Sequence, residues 1–218
     1  MCLRTLWAFI YPTNVGRLSP RTFNKKIVWF CESRVNQVNP KLLRKMYKAG
    51  CRVISYGFET ASQKSLDYIK KDIKIEQIKK VAKWTRKAKI ECRATFMLGI
   101  PNETKKDALN TIKFAKKLGI DRAKFTLMTP YPGTEFYDAV KDKLKGNWQE
   151  YNTLAGYTKF NPIYCPEKIS PKELKNLQRR AMREFYLWPI QIYRLVRCIR
   201  SFNQIKTYIS GVKTLLSR

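Results

Sequence analysis

Histidine is missing from all 218 residues. Imidazole metal ligands, Ser-His and Cys-His nucleophile systems and histidine acid/base chemistry are thereby excluded. Acidic residues are scarce: 16 Asp and Glu stand against 45 Lys and Arg, a formal net charge of +29. Such an excess suits nucleic acid, anionic lipid or an acidic partner, yet the lysines are spread through most of the expected helices, as on a solvated lysine-rich surface. The cysteines Cys2, Cys31, Cys51, Cys92, Cys165 and Cys198 stand singly, without C-x-x-C spacing, and no secretory signal precedes them. They read as reduced thiols of an intracellular protein, most of them small buried hydrophobes. No apolar run reaches the roughly 18 residues of a membrane span. What is present, 44% hydrophobic and 13% aromatic residues, can build one domain, or one plus an appendage.

Residues 1–25 show no clear period and turn signals at Pro12, Gly16 and Pro20, so an irregular N-terminal stretch is expected. A compact strand follows over Lys26 to Ser33, ending in the polar set Glu32, Ser33 and Arg34. Asn39-Pro40 supplies an N-cap and a first-turn proline, Leu42, Leu43, Met46 and Ala49 a helical stripe, and Gly50 the stop. Cys51 to Glu59 is a second strand, with Val53, Ser55, Gly57 and Glu59 on one face, followed by a short helix over Ser62 to Lys70 and another carrying Ile75, Ile78, Val81 and Ala82. A third strand, Ile90 to Leu98, stops at Gly99 and Pro101, and Asn102 or Thr104 can cap the helix striped by Ala108, Ile112 and Ala115. The fourth, Ala123 to Thr129, runs into Pro130-Tyr-Pro-Gly-Thr134. Strand and helix alternate with glycine stops and no hairpin dipeptides, which argues for parallel strands. Four such units make either a curved sector of a barrel or half of an open doubly wound sheet. A sector beginning at residues 26–33 should leave one strand edge and apolar inner surface unpaired.

The carboxyl ends of parallel strands are where function gathers. The inventory there is Glu32 with Arg34, Gly57 with Glu59, Gly99 to Glu103, and Thr129 to Thr134. A guanidinium suits a carboxylate or phosphate, carboxylates suit sugar hydroxyls or an ammonium, and Met97 or Phe96 can pack a flat ring. The competing reading is a buried ion pair between Glu59 and Arg34 that only fixes structure.

Taken together, Trp29-Phe-Cys-Glu-Ser-Arg34, Leu42-Leu-Arg-Lys-Met-Tyr-Lys-Ala-Gly-Cys51, Tyr56-Gly-Phe-Glu-Thr-Ala-Ser62 with Leu66 and Lys71, Phe96-Met-Leu-Gly-Ile-Pro-Asn-Glu-Thr104 and Tyr131-Pro-Gly-Thr-Glu-Phe-Tyr137 resemble the second half of a radical S-adenosylmethionine (SAM) enzyme. The likeness is to the class with an N-terminal cobalamin-binding domain, and Arg180 to Pro189 extends it. The resemblance implies an α/β fold: residues 26–146 as the last four β/α units of a partial TIM-like (β/α)6 barrel, residues 147–169 as an irregular aromatic connection and 170–218 as basic C-terminal helices begun by the capping box Ser170-Pro-Lys-Glu173. It also implies SAM-binding roles: Glu59 and Ser55 near the ribose and methionine end, Gly57 beside them, Met97, Gly99 and Pro101 against adenine, Thr129 and Tyr131 along the adenine edge, and Glu32 and Arg34 toward the methionine carboxylate or substrate.

The family's CxxxCxxC loop, whose thiolates hold a [4Fe-4S] cluster, is absent from these 218 residues. The expectation is therefore a fragment, or a split subunit completed by a separately encoded cluster- and cobalamin-bearing chain, inactive alone, whose parent cleaves SAM to a 5'-deoxyadenosyl radical. The alternative is a basic RNA- or anionic-membrane-binding module on a relic barrel scaffold, with nucleic acid the weaker candidate partner. The tail supports membrane contact: Ile192, Leu195, Val196, Ile199, Phe202, Ile205, Ile209, Val212 and Leu216 recur at helical spacing among Arg194, Arg197, Arg200, Lys206 and Lys213. A helix docked by that apolar stripe on the barrel is the other reading. The place expected is cytoplasmic, with a peripheral position on the inner face of the membrane.

Overall fold

The computed structural model describes residues 8–10, 28–144, 162–197, 206 and 208–213. The aromatic set Trp148, Tyr151, Tyr157 and Phe160, the cysteines Cys2 and Cys198, and Ile199, Arg200, Phe202, Ile205 and Leu216 of the tail stripe lie outside the described residues.

Five strands, β1 (Ala8–Ile10), β2 (Trp29–Ser33), β3 (Cys51–Glu59), β4 (Glu91–Leu98) and β5 (Arg122–Leu127), form one sheet in consecutive order. The last four are parallel. Helices α1 (Pro40–Lys48), α2 (Gln63–Tyr68), α3 (Ile75–Lys87), α4 (Lys105–Lys117) and α5 (Glu135–Val140) follow the strands, and α6 (Pro171–Tyr186) and α7 (Pro189–Arg197) close the chain. Consecutive strand order is that of a barrel wall; a doubly wound sheet reverses order at a switch point and takes helices on both faces.

The pleat shows which face the helices cover. Ile54, Tyr56 and Phe58 of β3, Cys92, Ala94, Phe96 and Leu98 of β4, and Ala123, Phe125 and Leu127 of β5 are buried with Leu43, Ile78, Val81, Ala108, Ile112 and Leu177 of the helices. Aromatic rings run across this layer: Phe58 meets Phe96 edge-on at 6.1 Å, Phe96 stacks on Phe125 at 5.3 Å, and Phe125 meets Phe185 of α6 at 6.3 Å. The opposite, concave face carries Glu32, Ser55, Gly57, Arg93, Thr95, Met97, Lys124 and Thr126, all half-buried or exposed. Register places Glu32, Ser55, Arg93 and Arg122 in one row across the four strands, with Gly57, Thr95 and Lys124 in the next. Parallel sheets are usually apolar on both faces. Here the inner surface is mainly polar, which corrects the expectation of unpaired apolar inner surface.

Neither edge of the four parallel strands is bare. β1 pairs antiparallel with β2, so part of the stretch expected to be irregular is a strand and covers the edge expected to be open. At the other side, α6 and α7 satisfy the free backbone of β5 with side chains. Gln178 Nε2 donates to the Phe125 carbonyl at 2.9 Å, and Tyr186 Oη donates to the Ala123 carbonyl at 2.9 Å while accepting from the Ala123 N–H at 3.3 Å. Gln191 donates to the Asp121 carbonyl, and Arg194 Nη1 to that of Ile120 at 3.3 Å. An edge strand with exposed donors and acceptors is a template for aggregation, and these helices remove it.

Local signals explain where the helices begin. Asn39 Oδ1 accepts from Leu42 N at 2.9 Å with Pro40 at the first helical position, and Ser170 and Glu173 form a reciprocal capping box. Thr104 caps α4 by the same device with Asp107, whereas Asn102 takes a left-handed turn at φ 64°.

Candidate functional site at the strand ends

β3 bulges between Gly57 and Glu59 in its pairing with β4, and Glu59 takes a left-handed conformation at φ 61°. A non-glycine residue there is strained, and strain of this kind collects at functional sites. The turn sends the Glu59 carboxylate back over Gly57, where it meets Lys71 Nζ at 2.6 Å. A Cβ on Gly57 would collide with Glu59 Oε1 and lie 2.8 Å from Lys71 Nζ, the movable ends of both side chains, so glycine leaves room for the pair to close over the sheet at this point. Lys71 is presented by the loop after α2, whose residues Lys70 and Asp72 are both left-handed. Arg34, at the end of β2, donates from Nη2 to the Lys71 carbonyl at 2.9 Å. Arg34 therefore steadies the lysine loop, and the expected Glu59–Arg34 ion pair is replaced by Glu59–Lys71.

One strand over, β4 ends in a turn built on a buried carboxylate. Glu103 is 1% exposed, and its Oε2 accepts from Gly99 N at 2.5 Å and Ile100 N at 3.2 Å. Its Oε1 is buried and has no hydrogen-bond partner among the described residues. Burial pushes the Glu103 carboxyl up to about 7, against the opposing pull of the two N–H donors. Gly99, at φ 83°, turns the chain here, and the close approach that excludes its side chain is made by Leu174 of α6: a Cβ would lie 2.9 Å from Leu174 Cδ2. Pro101 follows in the same turn.

The β5 end joins this turn through Met128 N donating to the Leu98 carbonyl at 2.8 Å. Thr129 Oγ1 is turned back onto the Leu127 carbonyl, and the Tyr131 carbonyl accepts from Thr134, which caps α5. An exposed Lys70–Glu135 pair at 2.6 Å reaches from the lysine loop to α5. Of the residues singled out in the sequence, Arg34, Gly57 and Glu59 come together on β2 and β3, and Gly99 and Pro101 share the turn on β4 with Met97 at its foot. Ser55 and Glu32 lie one row deeper than Gly57 on the concave face, and Tyr131 is exposed beyond β5. Two residues that the sequence reading named without giving them a role are central to the geometry. Lys71 had a signal in the adjacent lysines just after α2, and Glu103 in a carboxylate three residues past the strand-ending Ile100, positioned to cap a turn.

Cys31, Cys51 and Cys92 are buried on three strands. Burial pushes the Cys92 thiol up, and Cys31 is pushed up first by its hydrogen bond with Cys51 and then by burial. The Cys51 thiol is shifted down by the same hydrogen bond; with the three cysteines on three different strands and no group of three Cys, Asp or Glu side chains able to hold a metal ion among the described residues, they do not fit a [4Fe-4S] cluster.

A family model described as the radical SAM superfamily matches residues 17–115. An uncharacterized methyltransferase of Pyrococcus horikoshii is 36% identical over 166 residues, which cover 75% of this chain and 35% of that protein. This chain belongs to the radical SAM superfamily. Another relative, the anaerobic magnesium-protoporphyrin IX monomethyl ester cyclase of Cereibacter sphaeroides, is 30% identical over 167 residues, 74% of this chain and 26% of that one. The chain thus spans between a quarter and about a third of the length of these curated relatives. Among solved structures, the radical SAM methyltransferase TsrM from Kitasatospora setae aligns in a form with cobalamin and a [4Fe-4S] cluster bound at a TM-score of 0.50 and 16% identity, over 68% of this chain and 30% of that one. A form with tryptophan and a SAM analog bound aligns at 0.55 and 12% identity, over 72% of this chain and 35% of that one. The likeness is one of fold: the four parallel strands are a sector of a TIM-like radical SAM barrel.

Proposed function

We propose that this chain supplies the SAM-holding wall of a radical SAM barrel and works with a [4Fe-4S]-bearing segment carried outside these 218 residues. The observation that carries the reading is the Glu59–Lys71 ion pair seated on Gly57, one strand away from the Gly99–Glu103 turn. The amino-acid end of SAM is a zwitterion, and a preformed pair of opposite charges offers it a partner for each: Lys71 for the carboxylate, Glu59 for the ammonium, with Arg34 steadying the lysine loop. Met97 and the Gly99–Pro101 turn offer an apolar flank for adenine, Thr129 and Tyr131 its edge, and the orphaned Glu103 Oε1 is a buried oxygen that a polar ligand edge would complete. Ser55 and Glu32, deeper on the concave face, would meet the ribose side or the substrate.

When bound to a reduced cluster, SAM supplies a 5'-deoxyadenosyl radical or a methyl group; the residues described here bind and orient it and do not carry the electron. The names of the relatives, a methyltransferase and a cyclase, support methyl transfer or related ring chemistry for the whole protein, and the cobalamin bound in TsrM supports a cobalamin-dependent course.

The test is saturation-transfer NMR of SAM with the full chain, which detects weak binding. Adenine and ribose protons should be saturated, and Lys71→Ala or Glu59→Gln should weaken binding at least about tenfold, the loss of one charge-assisted contact, while Lys80→Ala on α3 leaves it unchanged. Absence of saturation, or equal loss from all three variants, contradicts the proposal.

A further inference from the structure

The C-terminal helices dock in an unexpected orientation. An amphipathic helix on a soluble body normally turns its apolar stripe inward. In α7 the residue turned inward is Gln191, 3% exposed and donating to the Asp121 carbonyl, with Arg194 donating to that of Ile120. Ile190, Ile192, Tyr193 and Val196 consequently stay outside, as do Ile209 and Val212 of the helical residues 208–213, each with 41–60% of its surface exposed. Both segments lie at the start of β5, since Arg122 Nη2 donates to Tyr208 Oη at 3.1 Å. The reading in which the stripe buries itself against the barrel is therefore overturned for these residues.

The charge around this face is predominantly basic: Arg86, Arg122, Arg194, Lys206 and Lys213 outnumber Glu91, which pairs with Arg122 at 2.9 Å, and Asp121, whose Oδ2 accepts from Cys92 N. Along the sequence, six basic residues come after Glu184 (Arg194, Arg197, Arg200, Lys206, Lys213 and Arg218) and no Asp or Glu does; Arg200 and Arg218 lie outside the described residues. Arg86 of α3 and Arg194 converge over Gly119 beside them, and neither forms an ion pair among the described residues. A nucleic acid would use the charge but leave at least five aliphatic side chains in water; another protein's apolar groove would use the aliphatic residues but not the excess of basic groups around them. Anionic lipid uses both, taking apolar side chains below the headgroups and cations at their level. No helix among the described residues is long and apolar enough to cross a membrane, so the contact is peripheral.

We infer that α7 and the helical residues up to 213 form an anionic-membrane-docking face at the amino-terminal end of the barrel strands, opposite the strand ends that hold the candidate site. This inference stands apart from the SAM reading and survives its failure.

The experiment is co-sedimentation of the full chain with phosphatidylcholine vesicles, with and without about 30% phosphatidylserine, at low and high salt. Because a strongly basic protein adsorbs to anionic vesicles without any built face, matched variants decide. Ile192→Ser with Val196→Ser, which changes no charge, should lower partition at least about tenfold. Lys206→Gln with Lys213→Gln should lower it about tenfold or more, at roughly fivefold per lysine. Lys41→Gln with Lys45→Gln on α1, at the other side of the sheet, should change it less than about threefold for the same loss of charge. All six positions are exposed, so melting temperatures should hold. Equal loss from the two lysine pairs, or full binding by the serine variant, overturns the inference. So does a serine variant that keeps vesicle binding but loses self-association, which would assign the face to a second copy. An RNA oligonucleotide that displaces the chain equally well with and without the serine changes would assign the charge to nucleic acid and overturn it as well.

Discussion

Glu103 is the residue whose environment is most at odds with its chemistry. Its carboxyl is buried, holds the Gly99 and Ile100 N–H groups through one oxygen, and is raised from the ordinary 4.5 to about 7. A raised carboxyl means that the folded chain binds the proton more tightly than the unfolded chain does. The stability it contributes is fully present below about pH 4.5 and is lost as pH rises toward about 7, by on the order of 3 kcal/mol. Glu103→Gln keeps an acceptor for both N–H groups and carries no charge. Urea titrations from about pH 5 to about pH 8 should show wild-type stability falling relative to the variant, with the variant the more stable at the alkaline end. Parallel curves would mean that the carboxyl is not desolvated in solution. The same residue shows what sequence could not reveal: Gly99 and Pro101 announced a turn, but that a carboxylate is buried beneath it depends on α6 laying Leu174 over Gly99, a contact more than seventy residues away in the chain.

At the scale of elements, the alternating β/α units, their caps and their glycine stops were legible because they rest on local rules, side-chain periodicity and backbone freedom. What escaped was pairing at the edges. β1 is three residues long, too short for a periodic signal, and the edge-capping roles of Gln178 and Tyr186 depend on where α6 lies. The tail stripe was legible as amphipathic, yet its direction was not, because that was decided by Gln191 and Arg194 finding the carbonyls of residues 120 and 121. The edge-capping function makes a clean claim. Tyr186→Phe keeps the ring against Phe185 and removes only the hydroxyl, leaving the Ala123 N–H and carbonyl without that partner. The expected cost is about 1–3 kcal/mol in denaturant unfolding, with increased self-association through the freed edge. A change under about 0.5 kcal/mol would show that water satisfies that edge and that α6 protects nothing there.

For the whole molecule, a polar concave face, a charged pair and a buried-carboxylate turn lie at the carboxyl ends of the strands, and a face with exposed apolar side chains and an excess of basic groups lies at their amino ends; these are the two surfaces to which the proposals assign SAM and lipid. The central claim is that the strand ends hold SAM. It is tested most directly by titrating SAM into the isotope-labelled full chain and following backbone amide shifts residue by residue. The account predicts that the largest shifts cluster at Gly57, Glu59, Lys71, Met97, Gly99 and Ile100. Shifts confined to the tail, or scattered over the lysine-rich helices with no cluster at the ends of β3 and β4, would contradict it.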